Sequence, residues 1–455
     1  VDFLTELYRK GMNVVRINSA HATIEGAQKI VDNVRAVSDK IAILVDTKGP
    51  EVRLTPMENA VGFIAKAGDT VKIRNGEDNF SDSNTLYTNC ATFVQDVPVG
   101  AHILIDDGSV ELNVVEKDEE SLTCRIMNSG TIKGRKSINV PNVYISLPAL
   151  TDKDRMFVQW AIDADLDFIA HSFVRTKKDL IDIQEILDKQ HSHLKIISKI
   201  ENQQGIDNLD EILAHCYGVM IARGDLGVEI PAEKIPIIQK QIVQKCRARK
   251  KPVIVATQML HSMIENPRPT RAEVTDIANA IFQRTDAIML SGETASGKYP
   301  IEAVRTMATI AERVEHDIHN STYGKVEMQE MIDTADYLSN CAIDAIEKLG
   351  VKAIITDSKT GGTARKLSSY RGSIPVIAVC FNERVHRELS LSYGISAVPV
   401  PKNYNPQEHF VAAVKDLLDS NNLDRDDRVA YLSGPFSEGA YSSILQIMRV
   451  KDILK

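Results

Sequence analysis

Up to about residue 320 the chain repeats one pattern: a short apolar run, a polar cluster at its end, then a stretch with helical spacing. The apolar runs are Met12–Asn18, Ile41–Asp46, Phe168–Phe173, Lys195–Glu201, Gly218–Asp225, Pro252–Thr257 and Ala287–Glu293. Helical spacing marks Asp2–Lys10, Ile24–Ser38, Lys178–Lys189 and Ile235–Arg249. Near-continuous apolar strands alternating with amphipathic helices predict a parallel sheet covered by helices. Seven such strands, in a chain that begins at Val1 inside a helix and without an initiator Met, predict a (β/α)8 TIM barrel whose first strand lies upstream of Val1. A doubly wound sheet would instead place a Gly-x-Gly-x-x-Gly turn after an early strand, and none is present. Barrel enzymes carry their chemistry at the C-terminal ends of the strands. Arg16, Asn18, Asp46, Ser172, Lys199, Glu201, Asp225, Thr257, Ser291 and Glu293 all fall there.

The spacing breaks once. Glu201 to Asp225 spans 24 positions and Asp225 to Thr257 spans 32, whereas Asp46 to Ser172 spans 126. The excess, about 49–147, has short alternating segments (Thr70–Arg74, His102–Asp106, Ser109–Val114) between Asn-Gly, Val-Gly and Asp-Asp-Gly turns, which predicts an inserted small antiparallel β domain. Its position on the catalytic face makes it a lid, with Asp107 and Lys136 placed to reach the barrel mouth on closing. The barrel is therefore expected from 1–48 and 148–320, and the lid from 49–147. After a polar turn starting at Asn320, strands at Lys352–Asp357, Pro375–Cys380, Ile395–Val400 and Val429–Ser433 predict a C-terminal α/β domain over 321–455. The turn Ser358–Thr363, leading into the helix Ala364–Tyr370, suits a phosphate at a helix start, and reads equally as an ordinary strand-to-helix loop.

Composition narrows the class. In 455 residues, 43% hydrophobic and 25% charged, two or three globular domains are expected. The net charge of −8 and one short basic run near Lys250 exclude nucleic acid as an expected partner. No apolar run approaches a membrane span and no signal peptide is visible. Six scattered cysteines without CxxC spacing suit reduced thiols in the cytoplasm.

The chemistry starts from Lys195-Ile-Ile-Ser-Lys-Ile-Glu201, an apolar strand with polar residues crowded at its end. Period two places Lys199 and Glu201 on one face. Buried together they form a structural pair or hold a ligand. Glu201 and Asp225 on neighbouring strand ends suit a hard divalent cation such as Mg2+, which takes one or two protein carboxylates and fills its shell with substrate oxygens and water. Lys199 and Arg16 add positive charge, and a metal with two fixed cations is what a phosphoryl group in transfer requires. Gly224 allows a substrate carboxylate to approach backbone amides. Thr257, and Ser291 with Glu293, have the groups to hold a water or relay a proton, and are equally ordinary at strand ends and caps. No His or Cys cluster accompanies them, which argues against zinc hydrolysis or a Cys or Ser–His nucleophile.

Six motifs in order carry a resemblance to the pyruvate kinase family. They are Arg16-Ile-Asn18, Asp46-Thr-Lys-Gly-Pro-Glu-Val-Arg53, Ile197-Ser-Lys-Ile-Glu-Asn202, Met220-Ile-Ala-Arg-Gly-Asp-Leu-Gly-Val228, Ala256-Thr-Gln-Met-Leu260 and Met289-Leu-Ser-Gly-Glu-Thr-Ala295. The resemblance implies transfer of the phosphoryl group of phosphoenolpyruvate to ADP, giving pyruvate and ATP, the last step of glycolysis. It assigns Lys199 and Arg16 to the phosphoryl group, Glu201 and Asp225 to Mg2+ or Mn2+, and Thr257 with the amides of Gly224 and Asp225 to the substrate carboxylate. Ser291 and Glu293 resemble the network that protonates the enolate. Asn18, Asp46 and the carbonyl of Thr47 match a K+ site, while Asn18, His21, Arg53 and Lys136 match positions that meet the nucleotide. A homotetramer and a phosphorylated effector on the C-terminal domain are further implications of the resemblance.

The turn Arg16-Ile-Asn-Ser-Ala-His21 departs from the family's Arg-x-Asn-Phe-Ser-His: Ala20 replaces a serine hydroxyl of the K+ shell. Glu51 stands where K+-requiring members carry Glu, so K+ is still expected, with water or Ser19 supplying the lost ligand. His171 before Ser172 is also atypical. The later loop Ser433-Gly-Pro-Phe-Ser-Glu-Gly439 carries Glu438, which repels phosphate and disfavours a tight bisphosphate site. Two other readings stay open: a different Mg2+-dependent barrel enzyme acting on phosphoenolpyruvate or a 2-oxo acid, and a non-catalytic effector-binding relative.

Overall fold

The computed structural model describes residues 1–59, 61–320, 333–400, 406–434 and 443–454. Most of the turn after Asn320 and of the loop ending at Gly439 lies outside the described residues.

Seven parallel strands form the first sheet in chain order: Val14–Asn18, Ala42–Asp46, Phe168–His171, Lys195–Ile200, Gly218–Ala222, Val253–Ala256 and Ala287–Ile288. Among the described residues no eighth strand closes the ring. Alternation divides each strand between two cores. Ile43, Val45, Ile169, Ile196, Val219, Ile221, Val253 and Val255 pack outward against the helices. Ala42, Leu44, Phe168, Ala170, Ile197, Met220, Ile254 and Ala256 fill the barrel interior. The same alternation carries Asp46 above Leu44 and Lys199 above Ile197, so the inner face changes from apolar to charged toward the C-terminal ends. Capping boxes at Thr151/Asp154, Thr176/Asp179 and Thr270/Glu273 start three of the covering helices.

The strands end earlier than their apolar runs. Asp225 belongs to the helix Arg223–Glu229 and Glu293 to the helical turn Gly292–Ala295, rather than to strand ends. Polar tips leave the ladder because they have other partners at the mouth.

The insertion after Asp46 folds as a sheet in the order Ile138–Asn139, His102–Ile105, Val110–Lys117, Ser121–Ile126, Thr70–Asn75 and Thr85–Thr88, around its own core. Its pairings are antiparallel as expected, with one exception: Thr70–Asn75 and Thr85–Thr88 run parallel. The connection through Gly76, capped by Asp82, is too long for a tight hairpin and returns the chain before it pairs. The turn into the insertion needs Gly49: its φ is 72°, and a Cβ there would lie 2.8 Å from both Ser172 and Phe173 side chains.

The third sheet orders Ile395–Pro399, Val376–Cys380, Val351–Ser358, Arg428–Ser433 and Ile444–Arg449. The first four strands are parallel; Ile444–Arg449, absent from the sequence reading, adds an antiparallel edge, which needs no crossover helix. This α/β unit seals the N-terminal end of the barrel. Its Leu391 sits in the barrel-interior cluster beside the strand starts. Around it run ion pairs: Arg387 to Asp167 (2.6 Å), Arg384 to Asp165 (2.7 Å) and Arg371 to Asp286 (2.8 Å).

Asp167 is fully buried and also accepts the Ile43 amide at 2.8 Å, with Arg35 at 3.4 Å. Removing its carboxylate leaves the buried Arg387 with only the exposed Asp165 at 3.6 Å, so Asp167→Ala should cost about 3–5 kcal/mol. A urea titration following the tryptophan signal of the barrel checks this, and an unchanged midpoint would show that the seam does not rest on Asp167.

Candidate active site

The mouth of the barrel is organised by Asp46, which is buried (1% exposed) at the end of the second strand. Arg16 reaches it from the first strand, with Nε at 2.6 Å from Oδ2, and Lys199 from the fourth, with Nζ at 3.0 Å from Oδ1. Lys199 also pairs with Glu201 (2.9 Å) and donates to Ser172 Oγ (2.8 Å). Ser172 in turn donates to the Thr47 carbonyl at 2.6 Å. Burial alone would raise the pKa of Asp46 and lower that of Lys199. The neighbouring charges win in both: Lys199 and Arg16 hold Asp46 below its ordinary range, and Asp46 and Glu201 hold Lys199 above its own.

Glu201 is the strained member. It is buried, accepts the Phe173 amide through Oε2 at 2.6 Å, and its Oε1 meets Lys199 at an angle that makes an ion pair and no hydrogen bond. Burial first, with Asp225 and Asp46 adding repulsion against the pull of Lys199, pushes its pKa up to about 7. Asp225 stands beside it, open to solvent yet crowded by protein, and the crowding raises its pKa too. The Asp107 charge of the inserted domain is also felt at Asp225. One buried carboxylate oxygen without a hydrogen bond, next to a second carboxylate facing solvent, fits a hard divalent cation whose remaining ligands come from substrate and water.

Across the mouth Thr257 adopts φ of 70° and Gln258 φ of 56°, conformations costly for non-glycine residues and above all for a β-branched one. Arg223, paired with Asp276 at 2.8 Å, holds the Thr257 carbonyl at 2.7 Å. Thr257 Oγ1 accepts the Gly224 amide at 2.8 Å. Both oxygens of buried Glu293 accept backbone amides, Ser291 at 2.7 Å and Leu260 at 3.1 Å, so Glu293 ties the last two loops of the mouth together.

Other residues singled out from the sequence lie apart. Arg53 pairs with Glu51 (2.7 Å) and Lys136 with Asp106 (2.9 Å) in the lid, while His21 is exposed. Asn18 accepts the Ala20 amide at 3.1 Å, and the Ala20 carbonyl accepts Lys153 at 3.1 Å. Ser19 is fully buried and its Oγ has no hydrogen-bond partner. His171 is buried with neither ring nitrogen partnered, and burial pushes its pKa down to about 4, leaving a neutral ring under Ser172. Sequence reasoning gave no role to Asp154, whose buried carboxylate accepts the amides of Lys48 (2.8 Å) and Gly49 (3.4 Å) and fixes the lid's first turn. The Thr151-x-x-Asp154 capping signature was its available signal.

A parallel barrel whose mouth holds a lysine, an arginine and a carboxylate pair, beneath an inserted lid, defines a metal-dependent phosphoryl-transfer enzyme. The family model described as "Pyruvate kinase, barrel domain" matches residues 1–304, and "Pyruvate kinase, alpha/beta domain" matches residues 336–448. The chain belongs to the pyruvate kinase family. It is 47% identical to a pyruvate kinase of Borreliella burgdorferi over all of this chain and 95% of that one. It is 42% identical to a pyruvate kinase of Bacillus licheniformis over 100% and 79% of the two chains. A crystal structure of a pyruvate kinase from Cryptosporidium parvum superposes with a TM-score of 0.91 at 34% identity, covering 98% of this chain and 92% of that one. The reaction is that of the family: phosphoenolpyruvate and ADP give pyruvate and ATP, with a metal requirement. This overturns the reading as a different barrel enzyme or a non-catalytic relative.

The Glu201 shift has a signed consequence. Its folded pKa, about 7, lies above the ordinary 4.5, so its contribution to stability is fully present below about pH 4.5 and is lost as pH rises through about 7. In metal-chelating buffer, the thermal midpoint of Glu201→Gln should therefore fall less between pH 5 and pH 8 than that of the unmodified chain. Parallel pH profiles would show that Glu201 is not the strained group.

Proposed function

We propose that Lys199 and Arg16 offset the charge of the phosphoryl group as it moves from phosphoenolpyruvate to ADP, and that Glu201 and Asp225 hold Mg2+, or Mn2+ in its place. The observation that carries this reading is the Arg16–Asp46–Lys199–Glu201 array: two cations held rigidly beside one carboxylate, with a second carboxylate pair completing the mouth. When bound, the divalent ion supplies Lewis-acid stabilisation of phosphoryl and enolate oxygens. The chain's own groups position. The amides of Gly224 and Asp225, at the start of the helix Arg223–Glu229, and the Thr257 hydroxyl receive the substrate carboxylate. Ser291, held by Glu293, orders the water that protonates the enolate.

A K+ site from Asn18, Asp46 and the Thr47 carbonyl is the reading we favour despite Ala20. Ser19 Oγ, buried without a partner in the same turn, supplies the oxygen that a hard cation would otherwise lack. Asn18, His21, Arg53 and Lys136 meet the nucleotide, the last two from the lid. We further propose the division into a barrel (1–48 and 148–320), a lid (49–147) and a C-terminal α/β unit (321–455), and a homotetramer working in the cytoplasm. The six cysteines are free thiols, as a reducing compartment requires, and among the described residues no helix is long and apolar enough to cross a membrane. A phosphorylated effector at the Ser358–Thr363 turn, where the Gly361 amide donates to Ser358 Oγ at 3.0 Å and the next helix starts at Gly362, completes the reading.

Lys199→Met should lower turnover by about three orders of magnitude or more while Mn2+ binding, followed by electron paramagnetic resonance, stays within a few fold. Near-normal turnover would refute the role of Lys199. For the monovalent site, initial rates in K+ should exceed those in tetramethylammonium at equal ionic strength, and Ser19→Ala should erase part of that difference. Identical rates in the two salts would dismiss the site.

A further inference from the structure

On the face opposite the active site, where the C-terminal unit meets the barrel floor, a small half-open cavity has five cations among its nine lining residues. Arg247, Lys250 and Lys251 enter from the barrel, Arg365 and Arg371 from the C-terminal unit, and Asp286 is the one carboxylate in the lining. It has room for about one water-sized group or small ion beyond what the open mouth admits.

The charges do not cancel within the protein. Asp286 is already taken: it pairs with Arg371 at 2.8 Å and accepts the amides of Val253 and Tyr393, each at 3.1 Å. Lys250 pairs with Asp336 (3.4 Å) and lies over the Tyr370 ring. Lys251 donates to the Cys216 carbonyl at 2.7 Å, and Arg365 to the Thr360 carbonyl at 3.2 Å and the Tyr217 hydroxyl at 3.3 Å. Arg247 is different, because its Nε and one terminal nitrogen are buried and have no hydrogen-bond partner. On the other side of the cavity the Ser392 hydroxyl is likewise buried without a partner.

A basic residue in the last turn of a helix is ordinary, and Arg247 lies in the last turn of the helix Ile235–Ala248. The helix dipole, however, would draw its guanidinium to the last carbonyls, and it makes no such bond at Nε. Water in the cavity would satisfy single hydrogen bonds and leave the charge uncompensated. Burial, then the Arg371 and Arg284 charges, push the Arg247 pKa down to about 10, as an unneutralised guanidinium would show.

We propose that this seam cavity binds a small inorganic anion, held between the Arg247 guanidinium and the Ser392 hydroxyl, one from each side of the seam. The site is separate from the phosphoryl site at the barrel mouth and from the Ser358–Thr363 turn. An anion there joins the C-terminal unit to the barrel floor and supplies the charge that Asp286 cannot.

The test uses the full chain in potassium gluconate, whose bulky carboxylate does not fit the cavity, titrated separately with chloride and with inorganic phosphate. Thermal midpoint is the readout, comparing the unmodified chain with Arg247→Gln and Arg247→Lys. Phosphate held at the barrel mouth acts on all three alike and cancels in the comparison. At least one anion should raise the midpoint of the unmodified chain saturably by about 2 °C or more. That rise should be absent in Arg247→Gln and largely kept in Arg247→Lys, with activity in gluconate within about twofold of unmodified. A response to chloride alone identifies a monatomic site, and a response to phosphate identifies an oxyanion site; both support the proposal. Equal rises in the unmodified chain and Arg247→Gln, or no rise with either anion, would overturn it.

Discussion

The contact on which the rest of the site depends is the pair of cations on one buried carboxylate: Arg16 and Lys199 on Asp46. A lysine inside a barrel is tolerated only if its charge is matched, and Asp46 matches it from a strand separated from it by the whole lid. The match fixes Lys199 where it also meets Glu201 and Ser172, and Ser172 is positioned through Thr47. The two cations are therefore fixed in place, which is what the phosphoryl-transfer role proposed for them would demand, because no reorganisation is left for the moment of reaction.

The opposite side of the mouth is held by backbone strain. Thr257 keeps a left-handed conformation because Arg223 clamps its carbonyl and Gly224 its hydroxyl, and Glu293 ties the loops around Leu260 and Ser291. The inserted lid is held where it joins the barrel. Asp154 pins only its first turn, and Arg175 holds its return segment by the Leu147 carbonyl at 2.9 Å.

Alternation made much of this legible. Period two alone put Lys199 and Glu201 on one face and placed Arg16, Asp46 and Ser172 at strand ends, and the break in spacing after Asp46 located the insertion. Partners remained hidden where they depend on tertiary closure: nothing local to Asp46 tells that Arg16 and Lys199 share it, nor that Glu293 spends both oxygens on backbone amides. The left-handed Thr257 was equally invisible, since a β-branched residue is the last to be expected there. Ile444–Arg449 escaped because its alternation, interrupted by Gln446, belongs to an edge strand and not to the buried parallel pattern being followed. The family motifs identified the chemistry; the cationic seam, made of residues scattered from 247 to 392, left no motif at all.

Leu391 gives the barrel a dependence on chain order. It lies among Ala42, Phe168 and Met220 inside the barrel, yet it is made roughly a hundred residues after the last barrel strand ends at Ile288. Burying a leucine is worth about 1.5–3 kcal/mol, so a barrel emerging from the ribosome is under-filled at its floor until the C-terminal unit follows. At ordinary elongation rates that interval is on the order of five to twenty seconds, during which the nascent barrel presents an apolar opening to whatever shares its surroundings. The C-terminal unit is in this sense the barrel's stopper, delivered late by the direction of synthesis.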